Sequence, residues 1–245
     1  MRHRTFKDLI MAMIDEERFE KNRERLVNDL IAESLLRSPN VIRAMQTVPR
    51  EEFLPEPVKD QAYADLPLPI GFGQTISAPH MVAIMAEALE LDVGQKILEV
   101  GTGSGYHAAV LAEIVSPKDC EKQGHVYTTE IVIGLAKSAK KTLERLGYAE
   151  RVTVICGDGS MGYATCAPYD RVLVTASAPT IPKPLIEQLK IGGLLIIPVG
   201  GLHFFQELVK IRKESETKTS SKNLGGVAFV PLTGKYGWAT YLANG

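Results

Sequence analysis

The sequence is short of the features that usually classify a protein at sight. Its 245 residues include three cysteines, Cys120, Cys156 and Cys166, an odd number without metal-ligand spacing. That excludes a disulfide framework and a thiolate metal centre, and free thiols suit the reducing cytoplasm, which is the expected location. Neither sign of charge is in excess, since 28 Lys and Arg stand against 29 Asp and Glu. Without a basic field or a long basic run, nucleic acid is not an expected partner. No apolar run approaches the ~20 residues that cross a bilayer. Near the N-terminus, "LIMAMI" is followed at once by Asp15, Glu16 and Glu17, which is too short an apolar run for a secretory signal. A soluble chain with no membrane partner and no metal is therefore expected, with a monomer as the working assumption. Trp238, the single tryptophan, is expected to dock the C-terminal tail.

What is present is ordinary globular composition, 45% hydrophobic and 23% charged, enough for one domain with a sizeable core. Three stretches succeed one another within it. Residues 1–80 hold two helices between Arg18 and Met45, broken and capped at Ser38-Pro39-Asn40, and then an irregular run with five prolines. Residues 81–201 alternate β-branched runs ("KILEV", "HVYTTE", "VTVIC", "DRVLVT", "LLIIPV") with helical ones, the pattern of a doubly wound α/β sheet, mostly parallel. Residues 202–245 offer "FQELVKIRK" and "GVAFVPLTG", expected as an antiparallel strand pair joined by a solvated loop, "ESETKTSSKNLG".

In such a sheet ligands bind beyond the carboxyl ends of the strands, where the winding reverses. The first strand here runs into "LEVGTGSGYHAAVLAE", whose Gly101, Gly103 and Gly105 permit a sharp turn and close approach of a ligand. Dinucleotide folds place their third glycine one residue later, to sit under a pyrophosphate. The spacing here favours a ligand without one. Glu130 ends the second strand, where a carboxylate accepts from both ribose hydroxyls, and Asp158 comes after the third, placed for an adenine amino group. Glycine loop, ribose acid and adenine acid together are the layout for S-adenosylmethionine.

At this point the sequence resembles the protein-L-isoaspartate O-methyltransferase family. "VPREEFLP", "GFGQTISAPHM", "ILEVGTGSGYHAAVLA", "GDG", "YDRVLVTASAP", "GGLLIIPVG" and "VAFVPLTG" carry the resemblance in order, from about Val48 to Gly234. The glycine loop is shared by many methyltransferases, whereas "QTISAPHM" is specific. The resemblance implies a cofactor site at Gln74, Thr75, Ile76, Gly101, Gly103, Ser104, Glu130, Asp158, Gly159 and Thr233. It implies Ser77 as the active-site serine, with Thr75, Ser77 and Ala78 meeting the substrate, an isoaspartyl protein or peptide. Some members carry a histidine where Val82 stands and a glutamine where Gly237 stands, so those contacts do not transfer.

The reaction so implied methylates a free α-carboxylate. That group has a reference pKa of roughly 3.3 to 3.7 and is ionised at neutral pH, so no general base is needed. Thr75, Ser77 and nearby backbone N–H groups are neutral donors, which hold a carboxylate without quenching it as a nucleophile. Ser77 has a competing role as N-cap of the next helix, stiffened by Pro79. His80 reads as a helix-start residue, and Tyr106 and His107 as packing or rim residues. The segment "FLPEPVKDQAYADLPLPIG" and the loop "TASAP" are expected to form the peptide cleft. Three other readings remain: a methyltransferase with a small-molecule or base acceptor, a nicotinamide-dependent oxidoreductase, and a binding protein that has lost the chemistry.

Overall fold

The computed structural model of the chain describes residues 6–118, 120–202 and 205–238, with side chains from Met13 onward. Helix α1 (Phe6–Ala32) begins well before the expected Arg18. Its buried stripe is Phe19, Leu26, Val27 and Leu30, while Met13 and Ile14 are exposed. Helix α2 (Pro39–Thr47) starts at its proline, as Pro at the first helical position permits. The cap is tertiary: the Glu87 carboxylate accepts from Arg37 N, Ser38 N and Ser38 Oγ at 2.9, 2.8 and 2.6 Å, and the Ser38 hydroxyl does not cap the helix itself.

The proline-rich run holds two short 3₁₀ turns and then a small antiparallel hairpin, β1 (Leu68–Gly71) and β2 (Gln74–Ile76). Gly71, Phe72 and Gly73 all have positive φ at its tip, which the flanking glycines adopt without penalty. Helix α3 (Pro79–Ala88) comes next. The core then runs β3 (Lys96–Val100), α4 (Tyr106–Val115), β4 (His125–Glu130), α5 (Ile133–Arg145), β5 (Val152–Cys156), β6 (Tyr169–Val174), α6 (Lys183–Glu187), β7 (Leu189–Gly200), β8 (Gln206–Lys213) and β9 (Thr219–Val227). One sheet has the order β5-β4-β3-β6-β7-β8-β9, parallel through β7 and antiparallel thereafter.

Every residue of α4 is buried, and its small side chains Ala108, Ala109 and Ala112 let it lie close between the sheet and α2. Truncating Leu111 beside them to Ala would cost about 2–5 kcal/mol, because so tight a layer cannot collapse into the gap. The winding reverses between β3 and β6, so the carboxyl ends of β3, β4 and β6 share one crevice.

The C-terminal pair differs from expectation. β9 is "TSSKNLGGV", inside the stretch read as a loop, and only residues 214–218 turn the chain. β9 is the sheet edge and almost wholly exposed, so its polar composition reflects solvent on both faces and blunts the open edge. "AFVPLTG" instead crosses the end of the sheet. Ser177 N donates to Val230 O and Leu232 N donates to Ser177 O, both at 2.8 Å, and Leu232 is buried against β6 and β7.

Candidate active site

The crevice is a cavity whose floor is the glycine loop. Gly101 N and Thr102 N donate to Thr129 O at 2.9 and 3.1 Å, tying the loop to β4. Thr175 Oγ1 donates to Gly101 O at 2.7 Å, tying it to β6. Gly101 has φ of 99°, and a Cβ there would collide with Thr175 Oγ1, so only glycine serves. Beneath lies Glu99, fully buried, accepting from Thr128 Oγ1, which in turn meets Thr102 Oγ1 at 2.7 Å. Burial lifts the Glu99 carboxyl to about 8, outweighing the hydrogen bond from Thr128 and reinforced by Glu130.

Glu130 is the acid the cavity keeps. Oε2 accepts from Gly103 N and Oε1 from Val132 N, each at 2.9 Å, so its position is fixed from both sides. Burial raises its pKa, and the backbone donors oppose that. The opposite wall comes from the hairpin and the chain leading into α3: Gln74, Thr75, Ile76, Ser77 and the apolar Val82 line the cavity, as do Gly101, Gly103, Ser104, Gly159 and Thr233. Nearly all the expected cofactor residues are thus brought together.

Asp158 is the exception. It does not line the cavity; Oδ1 accepts from Ser160 N and Oγ at 2.9 and 2.6 Å, and Oδ2 from Lys235 N at 2.8 Å. The carboxylate caps a 3₁₀ turn and pins the C-terminal segment, and the neighbouring Gly159 backbone reaches the cavity instead. Ser77 is not the N-cap of α3: that position is Ala78, and no side chain caps the helix. Trp238 docks as expected, its Nε1 donating to Ser177 O at 3.0 Å.

Three residues matter more than the sequence suggests. Arg50 is 0% exposed, donates through Nε to Ala62 O and through Nη2 to Ser77 O, both at 2.8 Å, and lies over the Tyr106 ring. It sets the Ser77 peptide from behind. Glu99 supports the loop, and His107, expected as a packing or rim residue, is buried and lines the cavity. Their burial depends on tertiary contacts, so no local pattern flags them.

A second, open groove adjoins the cavity and shares Thr75, Ser77, Thr175 and Val230 with it. Its far side is Gly226–Phe229 with Phe205 and Gln206; of the proline-rich segment only Pro67 takes part, and of the "TASAP" loop only Thr175. The two segments expected to form the peptide cleft therefore do not build this groove between them. His80, whose N and Nδ1 meet Asp65 Oδ1 at 2.8 and 2.9 Å, stands at its edge.

A glycine loop at the switch point of a parallel sheet, with a fixed acid on the next strand and its third glycine one residue short of the pyrophosphate spacing, defines an S-adenosylmethionine-dependent methyltransferase. The chain belongs to the protein-L-isoaspartate(D-aspartate) O-methyltransferase family, whose sequence model matches residues 21–237. Protein-L-isoaspartate O-methyltransferase of Hyperthermus butylicus is 55% identical over 232 residues, 94% of this chain and 96% of that one. The Methanothermobacter thermautotrophicus enzyme of the same name is 56% identical, over 92% and 99%. A solved protein-L-isoaspartate O-methyltransferase superposes with a TM-score of 0.78 at 32% identity, over 88% of this chain and 67% of that one. A Plasmodium falciparum structure (PCMT) in complex with S-adenosyl-L-homocysteine gives 0.75 at 26% identity, over 86% and 98%.

Proposed function

We propose that this chain methylates the free α-carboxylate of L-isoaspartyl residues in damaged proteins and peptides, beginning their repair. The observation that carries the reading is the junction of the enclosed cavity with the open groove at Thr75, Ser77 and Thr175. Only there can an acceptor in the groove meet a cofactor in the cavity. When bound, S-adenosylmethionine supplies a methyl group made electrophilic by its sulfonium, and the donor set fits its nucleoside: the Glu130 carboxylate for the ribose diol, the glycine loop and Gly159 for close backbone approach.

The chain's own residues then bind, orient and exclude water. Among the described residues no lysine or arginine lines either surface, so a carboxylate entering at Ser77 meets neutral donors and keeps its nucleophilicity. The acceptor arrives ionised, and in-line alignment in a dry site is worth about 7–11 kcal/mol. Arg50 holds the Ser77 peptide in place without touching the acceptor. Thr75, Ser77 and Ala78 face the groove and would grip the peptide main chain, leaving its side chains free. Thr233 and Gln74 to Ile76 close the cavity over the cofactor.

The working unit is taken as the monomer, since one chain supplies both surfaces. Its three free cysteines suit the cytoplasm, its balanced charge offers nucleic acid no field, and none of its described helices is long and apolar enough to cross a membrane. The test is transfer of labelled methyl to two peptides that differ only in L-isoaspartate against L-aspartate. Base-labile label on the isoaspartyl peptide alone supports the reading; label on both sinks the selectivity, and label on neither sends the search to small-molecule acceptors.

A further inference from the structure

The open groove has two unlike sides. Thr75, Ser77 and His80 make the near side polar, whereas the far side carries Phe205, Val227 and Phe229. Among the described residues no lysine, arginine, aspartate or glutamate lines it, and the one ionisable side chain there, His80, is already bonded to Asp65. Val227 and Phe229 are partly buried against the core. Phe229 is also fixed at its main chain, because Gln206, 6% exposed, accepts from Phe229 N at 2.7 Å and donates to Phe229 O at 3.1 Å. Phe205, immediately before β8, is the opposite case. Its main chain lies close against Gly200, where a Cβ would strike Phe205 O, yet the residue is 94% exposed. A phenylalanine so exposed adds nothing to the core, and joined to a fixed apolar wall it makes a surface for a ligand to cover.

The chemistry of the acceptor decides what that wall receives. Successive side chains of an extended peptide point to opposite faces. An isoaspartyl residue lengthens the backbone by one methylene, so the residues before and after it, which share a face in an ordinary extended chain, come to lie on opposite faces. With the carboxylate turned to Ser77, one of these two neighbours shares its face and the other turns to the far wall. We infer that this wall is a subsite for one side chain flanking the isoaspartate, that it favours a large apolar one, and that Phe205 sets the preference. The inference rests on the isoaspartyl reading of the groove.

Two series of host peptides test it, with Gly, Leu or Glu placed either just before or just after the isoaspartate. For wild-type protein, kcat/KM should favour Leu over Gly about fivefold to twentyfold on one flank only, the gain from partly burying a leucine side chain. The gain should lie in KM rather than kcat, since the contact is the same in the ground state and the transition state. Glu on that flank should fall below Gly, because no cation there pairs with it. Phe205→Ser should bring the Leu-to-Gly ratio within about twofold of unity, and Phe205→Leu should keep most of it. Taking the ratio within each variant removes any change in overall activity. An unaltered ratio in Phe205→Ser, equal preference on both flanks, or preference on neither would overturn the inference and leave the isoaspartyl reading standing. Wild-type protein that methylates none of the peptides would sink that reading, and this inference with it.

Discussion

The two walls of the cavity are built in opposite ways. The sheet wall, from Gly101 to Tyr106 and Thr129 to Val132, is held by short-range main-chain bonds to adjacent strands and backed by the buried Glu99 and Thr128 pair. The outer wall, Gln74 to Ser77 with Val230 to Thr233, is a two-stranded hairpin and a crossing segment that lie outside the ladder of the large sheet: Arg50 holds Ser77 O, Ser177 holds the crossing segment by two main-chain bonds, and the exposed Phe72 ring lies against Gly134. A wall fixed by its own backbone is set before any ligand arrives, which suits a cofactor that never varies. The wall outside the large sheet borders the groove, where acceptors of many sequences must fit.

If that division holds, the largest effect belongs to Glu130→Ala. It removes the proposed ribose acceptor and leaves Gly103 N and Val132 N without partners, so S-adenosylhomocysteine affinity should fall about a hundredfold by calorimetry. The isoaspartyl peptide's KM at saturating cofactor should barely move. A comparable loss in both would mean that the walls are not independent.

Glu99 gives the next effect, on stability. In the unfolded chain its carboxyl titrates near 4.5, and in the fold near 8, so between those values the folded protein holds the extra proton. Stability therefore falls as pH rises through that window, by at most about 1.4 kcal/mol per pH unit. Glu99→Gln keeps the polar contact and removes the titration. Its denaturation free energy, measured from about pH 5 to pH 8, should flatten relative to wild type.

The smallest effect is kinetic and lies at the hairpin tip. Phe72 is 66% exposed, and a side chain at residue 134 would displace its ring. Phe72→Ala and Gly134→Ala should each speed S-adenosylhomocysteine release about twofold to fivefold in stopped flow, as loosening of a locally held segment does. Unchanged release in both would show that the tip does not help close the outer wall.

The same contrast explains what the sequence discloses. Strands β3 and β6 read directly, because central parallel strands are covered on both faces and carry apolar runs, while β4 and β5 read from their β-branched residues. The glycine loop and Glu130 read equally well, since their chemistry is local. β9 does not, because an edge strand with water on both faces has the composition of a loop, whereas "VAFVP" is apolar on account of the sheet end it crosses. Asp158 is half legible for a related reason: its place after β5 suggests a ligand, and its partners Ser160 and Lys235 are visible only once the C-terminal segment is folded back. Arg50 takes its meaning from burial and from its bonds to Ala62 O and Ser77 O, which no spacing rule reports.

Ser77→Ala is the most direct test of the central claim, that the sheet wall binds the cofactor and Ser77 on the outer wall serves the acceptor carboxylate. Single-turnover methyl transfer to an isoaspartyl peptide at saturating cofactor should slow roughly tenfold to a hundredfold, while S-adenosylhomocysteine affinity stays within about twofold of wild type. An unchanged transfer rate, or a loss of cofactor affinity as large as the loss of rate, would contradict it.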